Sequence, residues 1–196
     1  MANRFEAGKR RVQRASAAWH RENDAIGEAL GKVPWKTLAE IMGTSTCQYI
    51  LVYRFKLHAL PLWIKECGAK ACPNADCATL PNIDLAHVFW DCPMAQQTWT
   101  WVRSLFALLH DQHVDYGLEE IFSFQMKYPP SKCLQIRSDW MNDYPDSNNE
   151  LTTDTISAIS NKYWSYAVAL ALTTIWRSRV DQIFNSNQTT PTTKER

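Results

Sequence analysis

Two short stretches decide the fold of this 196-residue chain: CPNADC at residues 72–77 and HVFWDCP at residues 87–93. Together they carry three cysteines and one histidine with the spacing C-x4-C-x9-H-x4-C. Three thiolates and one imidazole form a donor set that Zn²⁺ binds in tetrahedral geometry. The spacing therefore predicts a zinc site whose ligands are Cys72, Cys77, His87 and Cys92.

The same spacing indicates what such a site can do and how the backbone runs around it. Four protein ligands leave no position open for water, so we expect a structural site rather than a hydrolytic one. His87 and Cys92 are five residues apart and cannot share one face of an unbroken α-helix, so the chain must bend between them. Pro93 then suits the first turn of a new helix. Two alternatives stay open: four unrelated buried residues, or Cys67 in place of one of the first two cysteines.

The sequence on both sides of this irregular, cysteine-rich knuckle has the pattern of helices. Apolar residues recur at intervals of three, four or seven, and no convincing alternating strand is present, so the predicted fold class is mainly α, with the zinc knuckle between helices. The predicted parts are a basic amphipathic helix at 1–33, a zinc-binding domain at 34–110, an acidic, loop-rich connection at 111–150, a long C-terminal helix at 151–185 that packs on the domain, and a polar tail at 186–196.

Periodicity also predicts where helices lie within these parts and which faces they bury. Helices are expected at about 44–60, 93–110 and 118–124. The predicted buried positions are Ile50, Tyr53 and Leu57 in the first, Ala95, Thr98, Val102, Leu105 and Leu109 in the second, and Ile156, Ile159, Tyr163, Ala167, Leu170, Thr174 and Phe184 in the C-terminal helix. Five tryptophans are assigned to the core by their helical spacing: Trp90, Trp99, Trp101, Trp164 and Trp176.

The ends and the apolar runs of the chain bear on its location. The first residues carry charges where a signal peptide needs an apolar run, and the longest apolar stretch, residues 167–175, is too short to cross a bilayer. We therefore expect an intracellular protein, nuclear or cytoplasmic, that is not secreted. Thiols stay reduced in these compartments, which favours core or metal-binding roles for the six cysteines. Cys47 and Cys133 have no partner at metal spacing and are interpreted as small buried apolar residues.

Charge is unevenly distributed although the net charge is only +1. Residues 1–53 hold eight basic and five acidic side chains, whereas residues 104–160 hold three basic and nine acidic ones. Such asymmetry fits a protein that offers a basic arm to an anion, and it equally fits an unevenly charged solvated surface.

Four segments resemble one known family. They are RFKLHALPLW at 54–63, CPNADC at 72–77, HVFWDCPMAQQTW at 87–99, and ALTTIWRSR at 171–179 followed by Phe184. They are similar to the zinc-binding domain that follows the polymerase in non-LTR retrotransposon reverse transcriptases, with its "LHxxLPT"-like helix end, Cys-Pro-x-x-Cys-like pair, "HLFxxCPxAxxxW" and "IWxxRNxxxF". The resemblance implies a stand-alone or truncated copy of that domain, with a reverse transcriptase as a partner in cis or in trans.

The function that the resemblance implies is a non-catalytic module that binds RNA or DNA weakly and in a salt-sensitive way. The residues expected to face phosphates are Arg54, Lys56, Lys65 and Lys70, together with Arg10 and Arg11 of the basic helix. Trp35 and Trp63 are the candidates for stacking on bases.

The sequence also bears on whether this chain is an enzyme. The chain contains no Asp-Asp pair of the kind that a polymerase active site uses, so we do not expect an enzyme. A structural remnant or protein-interaction domain without affinity for nucleic acid is the alternative. A zinc hydrolase that uses His110 or His113 is the third choice.

Overall fold

A computed structural model describes residues 2–34, 39, 45–62, 72–77, 80, 83–110, 115–127, 131 and 153–185. This part of the chain is mainly helical and has no β-strand, as the sequence predicted. The α-helices are α1 (Ala2–Glu22), α2 (Asp24–Lys32), α3 (Thr46–Lys56), α4 (Pro93–Ala107), α5 (Leu118–Ser123) and α6 (Thr153–Asn185). A 3₁₀ turn (Ala75–Cys77) and a π-helical segment (His87–Asp91) lie between α3 and α4.

The N-terminal region is two helices, which corrects the single helix predicted over 1–33. The break falls at Asn23, whose side-chain Oδ1 accepts a hydrogen bond of 3.1 Å from the Ile26 N–H and caps α2. Asparagine is a favoured N-cap because its side chain replaces a missing helical acceptor. Helix α1 reaches the core through Trp19 near its end, and α2 buries Ile26 and Leu30.

An aromatic core joins the helices. Phe55 of α3 lies at its centre, with ring centroids 4.8 Å from Trp19, 4.5 Å from Phe89 and 5.8 Å from Phe122. All four side chains are almost completely buried, and aromatic rings contribute most of the apolar area that such a core removes from water. Helices α1, α3 and α5 and the π-helical segment therefore share one core.

Two of the predicted buried faces are wrong in part. Helix α3 begins after Ser45, which caps it, and buries Leu51, Val52 and Phe55, whereas the predicted Ile50 is 43% exposed. Helix α4 buries Ala95, Trp99 and Val102, whereas Leu105 and Trp101 are exposed. Both helices carry apolar residues on more than one face, so the spacing alone does not select the face that packs.

The long C-terminal helix is present, and Ile156 and Trp164 are buried as predicted, but much of its buried face is rotated from the one predicted. Trp164, Val168 and Leu172 are fully buried, whereas the predicted Tyr163 is 63% exposed. The predicted Ile159, Leu170 and Phe184 are also exposed. The C-terminal end of α5 determines this rotation, because the Trp164 indole N–H donates to the Glu120 carbonyl at 3.0 Å.

Side chains of α6 also form hydrogen bonds with the turn that follows α5. Phe124 has a φ of 59°, and its carbonyl accepts a hydrogen bond of 3.0 Å from the Ser165 hydroxyl. Asn161 Oδ1 accepts from the Met126 N–H at 2.8 Å. The predicted loop at 128–150, apart from residue 131, and the predicted tail at 186–196 lie outside the described residues. In the described part of the chain, no helix combines the length and the apolar character that a membrane span requires.

Candidate metal centre

Four side chains with metal-binding atoms meet between α3 and α4. Cys72, Cys77, His87 and Cys92 are all buried, and their sulfur and imidazole nitrogen atoms lie within 4.8 Å of one another. The Cys72 and Cys92 sulfurs are 3.7 Å apart, too far for a disulfide. A tetrahedral zinc ion with sulfur ligands at 2.3 Å places them about 3.8 Å apart. The separation of this pair therefore matches one edge of a zinc tetrahedron.

A compact turn brings the first two cysteines together across their four-residue gap. Cys77 closes a 3₁₀ turn in which its N–H donates to the Asn74 carbonyl at 3.0 Å. The Asn74 side chain accepts from the Asp76 N–H at 3.1 Å, and its amide nitrogen lies 4.0 Å from the Cys92 sulfur. Asn74 thus shapes the turn and also reaches the other half of the cluster.

A π-helical turn brings His87 and Cys92 into one cluster although they are five residues apart in the sequence. The Cys92 N–H donates to the His87 carbonyl at 2.8 Å, a hydrogen bond that spans five residues instead of four. One extra residue in the turn places His87 and Cys92 on the same side of the chain, and such insertions are frequent at functional sites. Pro93 then begins α4, as predicted. The sequence indicated a bend, but nothing in it distinguished a π turn from a break.

Side chains from α4 satisfy the carbonyls that the π-helical segment leaves without helical partners. The Trp99 indole N–H donates to the Phe89 carbonyl at 2.7 Å, and the Gln96 amide donates to the Trp90 carbonyl at 2.6 Å. Buried carbonyls without partners are costly, so these two bonds stabilise the π turn.

Two carboxylates fix the start of the same segment. Asp84 Oδ1 accepts from the His87 N–H at 2.7 Å. Glu22, the last residue of α1, accepts from the Leu85 N–H at 3.0 Å and lies 2.8 Å from the His58 imidazole Nε2. The backbone that carries His87 is therefore attached both locally and to a helix more than sixty residues away.

Burial determines the electrostatics of the cluster. It raises the pKa of the Cys72 thiol, and it raises the pKa of Cys77 to about 12, with the neighbouring sulfurs adding to the effect. Among the described residues, the buried His87 Nε2 has no hydrogen-bond partner. A buried nitrogen in this state is costly unless it finds a donor or an ion. A divalent cation would take its lone pair and ionise the thiols, so the donor set fits a metal ion.

Sequence reasoning did not assign a site role to Arg179, a buried arginine in the second half of α6. Its side chain is 2% exposed, and its guanidinium donates to the Leu62 carbonyl at 3.4 Å. Burial lowers its pKa, and the sulfurs of Cys72 and Cys92 oppose that change. The signal was present in the IWRSR stretch at 175–179, quoted for its resemblance alone.

The residues predicted to face phosphates have different environments. Arg10, Arg11 and Arg54 are exposed. Lys56 instead donates to the Leu30 carbonyl at 2.9 Å and to the Val33 carbonyl, and burial lowers its pKa to about 8. It holds the end of α2 against α3. The other candidates for contact with phosphates or bases lie outside the described residues: Lys65, Lys70, Trp35 and Trp63. The alternative metal-binding residues Cys67 and His113 also lie outside them.

The structure also describes Cys47 and His110, two residues that the sequence analysis singled out. Cys47 is exposed, which corrects the prediction of a buried residue, and Cys133 lies outside the described residues. His110 is buried with its Nε2 2.5 Å from the Tyr116 hydroxyl, and burial raises the pKa of Tyr116 to about 12. Within the described residues, Cys72, Cys77, His87 and Cys92 form the one group with metal-binding geometry, and His110 is not part of it.

A groove between α1 and the residues that follow α3 contains two of the predicted arginines. Arg10, Arg11 and Arg14 line it on one side, and Leu57 and His58 line it on the other. It encloses about 490 Å³ and is open to solvent. Three guanidinium groups at one groove form a site that attracts anions, phosphates in particular.

Comparison with known proteins gives no match: no protein family, no curated protein and no solved structure matches this chain.

Proposed function

We propose that this chain is a non-catalytic zinc-binding module that binds single-stranded RNA or DNA through the arginine-lined groove on α1. The observation that carries the zinc part is the buried set of three thiols and one imidazole, whose donor atoms lie within 4.8 Å of one another. Soft thiolate ligands with one imidazole favour zinc over magnesium or calcium, which prefer oxygen ligands. The ion supplies cross-linking of the knuckle, since the four ligands leave no position for water or substrate.

Elemental analysis of the purified protein tests the zinc site. We expect close to one zinc per chain, and a loss of most of it in Cys92→Ser and in His87→Ala. Cys47→Ser is the matched control, because Cys47 is exposed and outside the cluster. Full metal content in either ligand variant contradicts the assignment.

Binding to nucleic acid is supported by the position of the arginines. Arg10, Arg11 and Arg14 are exposed along one helix and line an open groove, so a chain of phosphates can contact them in succession. A flexible single strand adapts to such a row better than a rigid duplex does. Contacts of this kind carry no base information, so the expected binding is weak, independent of sequence and strongly dependent on salt.

Fluorescence anisotropy with a labelled single-stranded RNA at two salt concentrations tests this part. If three phosphates are engaged, the logarithm of the affinity falls with the logarithm of the salt concentration with a slope of about −2, at about −0.7 per contact. The double variant Arg10→Ala/Arg11→Ala should weaken binding and flatten the slope to less than half. Lys162→Ala/Arg177→Ala removes the same charge from exposed positions on α6 and should leave the slope unchanged. No binding at low salt contradicts the proposal, because screening is weakest there.

A specific observation favours a second candidate, a protein-interaction domain. Trp101, Leu105 and Leu108 follow one another along one side of α4 and are 57%, 42% and 68% exposed. Exposed apolar residues in a row are typical of surfaces that contact another protein. This is the function that remains if no RNA or DNA binds.

A further inference from the structure

The arginines of the groove are concentrated in a short stretch of α1. Arg10, Arg11 and Arg14 all line the groove. From Arg10 to Arg14 the helix rises by only about 6 Å, at 1.5 Å per residue. Three positive charges therefore surround one small region of the groove.

These charges are not neutralised by acidic side chains. Glu6, in the preceding turn of α1, pairs with Lys9 at 3.6 Å, and the Arg10 Nε donates to the backbone carbonyl of Glu6 at 3.4 Å. In the part of the chain that the structure describes, Arg11 and Arg14 form no ion pair, and none of the described residues that line the groove is acidic. Like charges one turn apart destabilise a helix, so a bound anion would relieve their repulsion.

The rest of the groove is apolar apart from one imidazole. Its apolar lining residues are Ala7, Ala15, Ala18 and Leu57. The His58 ring is held edge-on to Trp19, with centroids 5.0 Å apart, and its Nε2 lies 2.8 Å from the Glu22 carboxylate. His58 has a φ of 50°, in the left-handed region that favours glycine, and residues kept in such conformations are concentrated at functional sites. The groove thus offers a fixed ring and apolar surface beside its charges.

The size of the groove suits a small molecule or a single nucleotide. Its volume of about 490 Å³ lies in the range of pockets that bind small ligands. A phosphate monoester carries close to two negative charges at pH 7, whereas each phosphodiester inside a strand carries one. Guanidinium groups also bind phosphate oxygens through pairs of hydrogen bonds. A compact group of arginines therefore matches a phosphate monoester better than it matches a single diester.

We propose that the groove binds one nucleotide through its phosphate monoester, at the phosphorylated end of a strand or in a free nucleotide. Arg10, Arg11 and Arg14 hold the phosphate, and the apolar lining contacts the sugar and the base. The inference rests on the proposed function, and it names the chemical group that the groove selects.

The first test compares single-stranded RNAs of one sequence that carry a 5′-phosphate, a 3′-phosphate or hydroxyl groups at both ends. The fluorophore is internal, so both ends are free, and affinity is measured by anisotropy. We expect at least one phosphorylated strand to bind about 10-fold more tightly than the hydroxyl-ended strand, because charge-assisted hydrogen bonds are the strong ones. A hydroxyl-ended strand that is one nucleotide longer adds charge without a monoester and should stay within about twofold. Equal affinities of all these strands overturn the proposal.

Two variants locate the end preference in the groove. Arg14→Ala should reduce the gain from the phosphate to less than about threefold, whereas Arg177→Ala, at an exposed position on α6, should leave the gain unchanged. Ala7→Phe should abolish the gain although it removes no charge, because the added ring fills the groove. Its control is Ala17→Phe, at an exposed position of α1 that does not line the groove. An unchanged gain in Arg14→Ala or in Ala7→Phe overturns the proposal.

Competition against the phosphorylated strand separates a nucleotide site from a general anion site. Adenosine monophosphate should displace the strand at a concentration about 10-fold lower than inorganic phosphate, since it also contacts the apolar lining. Equal potency of the two competitors overturns the proposal. A nucleotide that competes at concentrations near the strand's Kd identifies free nucleotides as the ligand, and one that needs about 100-fold more identifies the strand end.

Failure of this inference is distinguishable from failure of the proposed function. If no strand binds at low salt, the proposed function is wrong. If the hydroxyl-ended strand binds and a terminal phosphate adds nothing, the proposed function stands and only the inference is overturned.

Discussion

The knuckle at 72–92 and the aromatic core around Phe55 are stabilised in different ways. In the described part of the knuckle, side chains such as Asn74 and Asp84 shape short turns and four donor atoms converge. In the core, regular helices contact one another through stacked and edge-on rings. A metal ion would pair the buried groups of the first arrangement, whereas the second needs only the removal of apolar surface from water. One chain therefore combines two kinds of stability that respond to different treatments.

Phe89 is one ring that connects the two regions. Phe89 belongs to the π-helical segment, yet its side chain is fully buried against Phe55, and its carbonyl accepts the bond from Trp99. The core can hold the knuckle in place through this contact even when the ion is removed.

Removal of the metal is the change with the largest expected effect. A chelator should raise amide hydrogen exchange at residues 84–92 by about a hundredfold or more, because structural zinc supplies local folding free energy. Amides of α2 and of α6 around Trp164 should change by less than tenfold, since apolar packing holds them. Exchange followed by mass spectrometry, with and without chelator, measures both. Equal loss of protection everywhere would mean that the ion organises the whole fold.

Phe55→Ala tests the contribution of the aromatic core to stability. Phe55 is fully buried and contacts three aromatic rings, so we expect a loss of about 3–5 kcal/mol in the free energy of unfolding. Urea denaturation in zinc-saturated buffer measures this loss. Ile50→Ala is the control on the same helix, and it should cost much less because Ile50 is partly exposed. Similar losses in the two variants would contradict the position of Phe55 at the centre of the core.

A matched pair of capping substitutions sharpens the comparison. Asn23→Ala removes the acceptor of the Ile26 N–H in α2, and Asp84→Ala removes that of the His87 N–H in the knuckle. Each should cost about 1 kcal/mol in the metal-loaded protein. Without metal, the cost of Asn23→Ala should persist, whereas that of Asp84→Ala should shrink because its turn is already loosened. Urea midpoints of the unmodified protein and the two variants, each with and without metal, test this, and identical behaviour of the two variants would show that the regions unfold as one.

Cys47→Ser has the smallest expected effect. Cys47 is exposed near the start of α3 and lies outside the donor set. Its replacement should change the free energy of unfolding by less than about 0.5 kcal/mol and leave the metal content unchanged. Thermal unfolding and elemental analysis measure both quantities. A loss of zinc in this variant would reveal that Cys47 contributes to the site in solution.

Local signals made much of this architecture predictable. Helix α4 begins at Pro93, as its residue type indicated, and the spacing of the cysteines and histidine predicted the four side chains that the structure brings together. These features depend on residues close in sequence, so the pattern carries them directly. Asn23 was a further local signal, since its residue type is typical of a helix start, and it was overlooked because the apolar stripe continues through it.

The sequence alone did not predict contacts between residues that are far apart in the chain. The buried face of α6 depends on bonds from Trp164 and Ser165 to the end of α5, and a helix with apolar residues on several sides gives no preference by itself. Arg179 donates to the Leu62 carbonyl, more than one hundred residues earlier in the chain. Only the packing of α6 shows that its side chain is buried.

Glu22 sets a limit on how this chain can be dissected. Its carboxylate contacts His58 after α3 and the Leu85 N–H before the π turn, so one side chain of α1 connects three parts of the sequence. A fragment that begins at residue 34, the predicted domain boundary, would lose that connection and would uncover Phe55 where Trp19 covers it. The smallest unit that folds autonomously is therefore larger than the smallest unit that contains the ligands, and truncations for expression should retain α1 and α2.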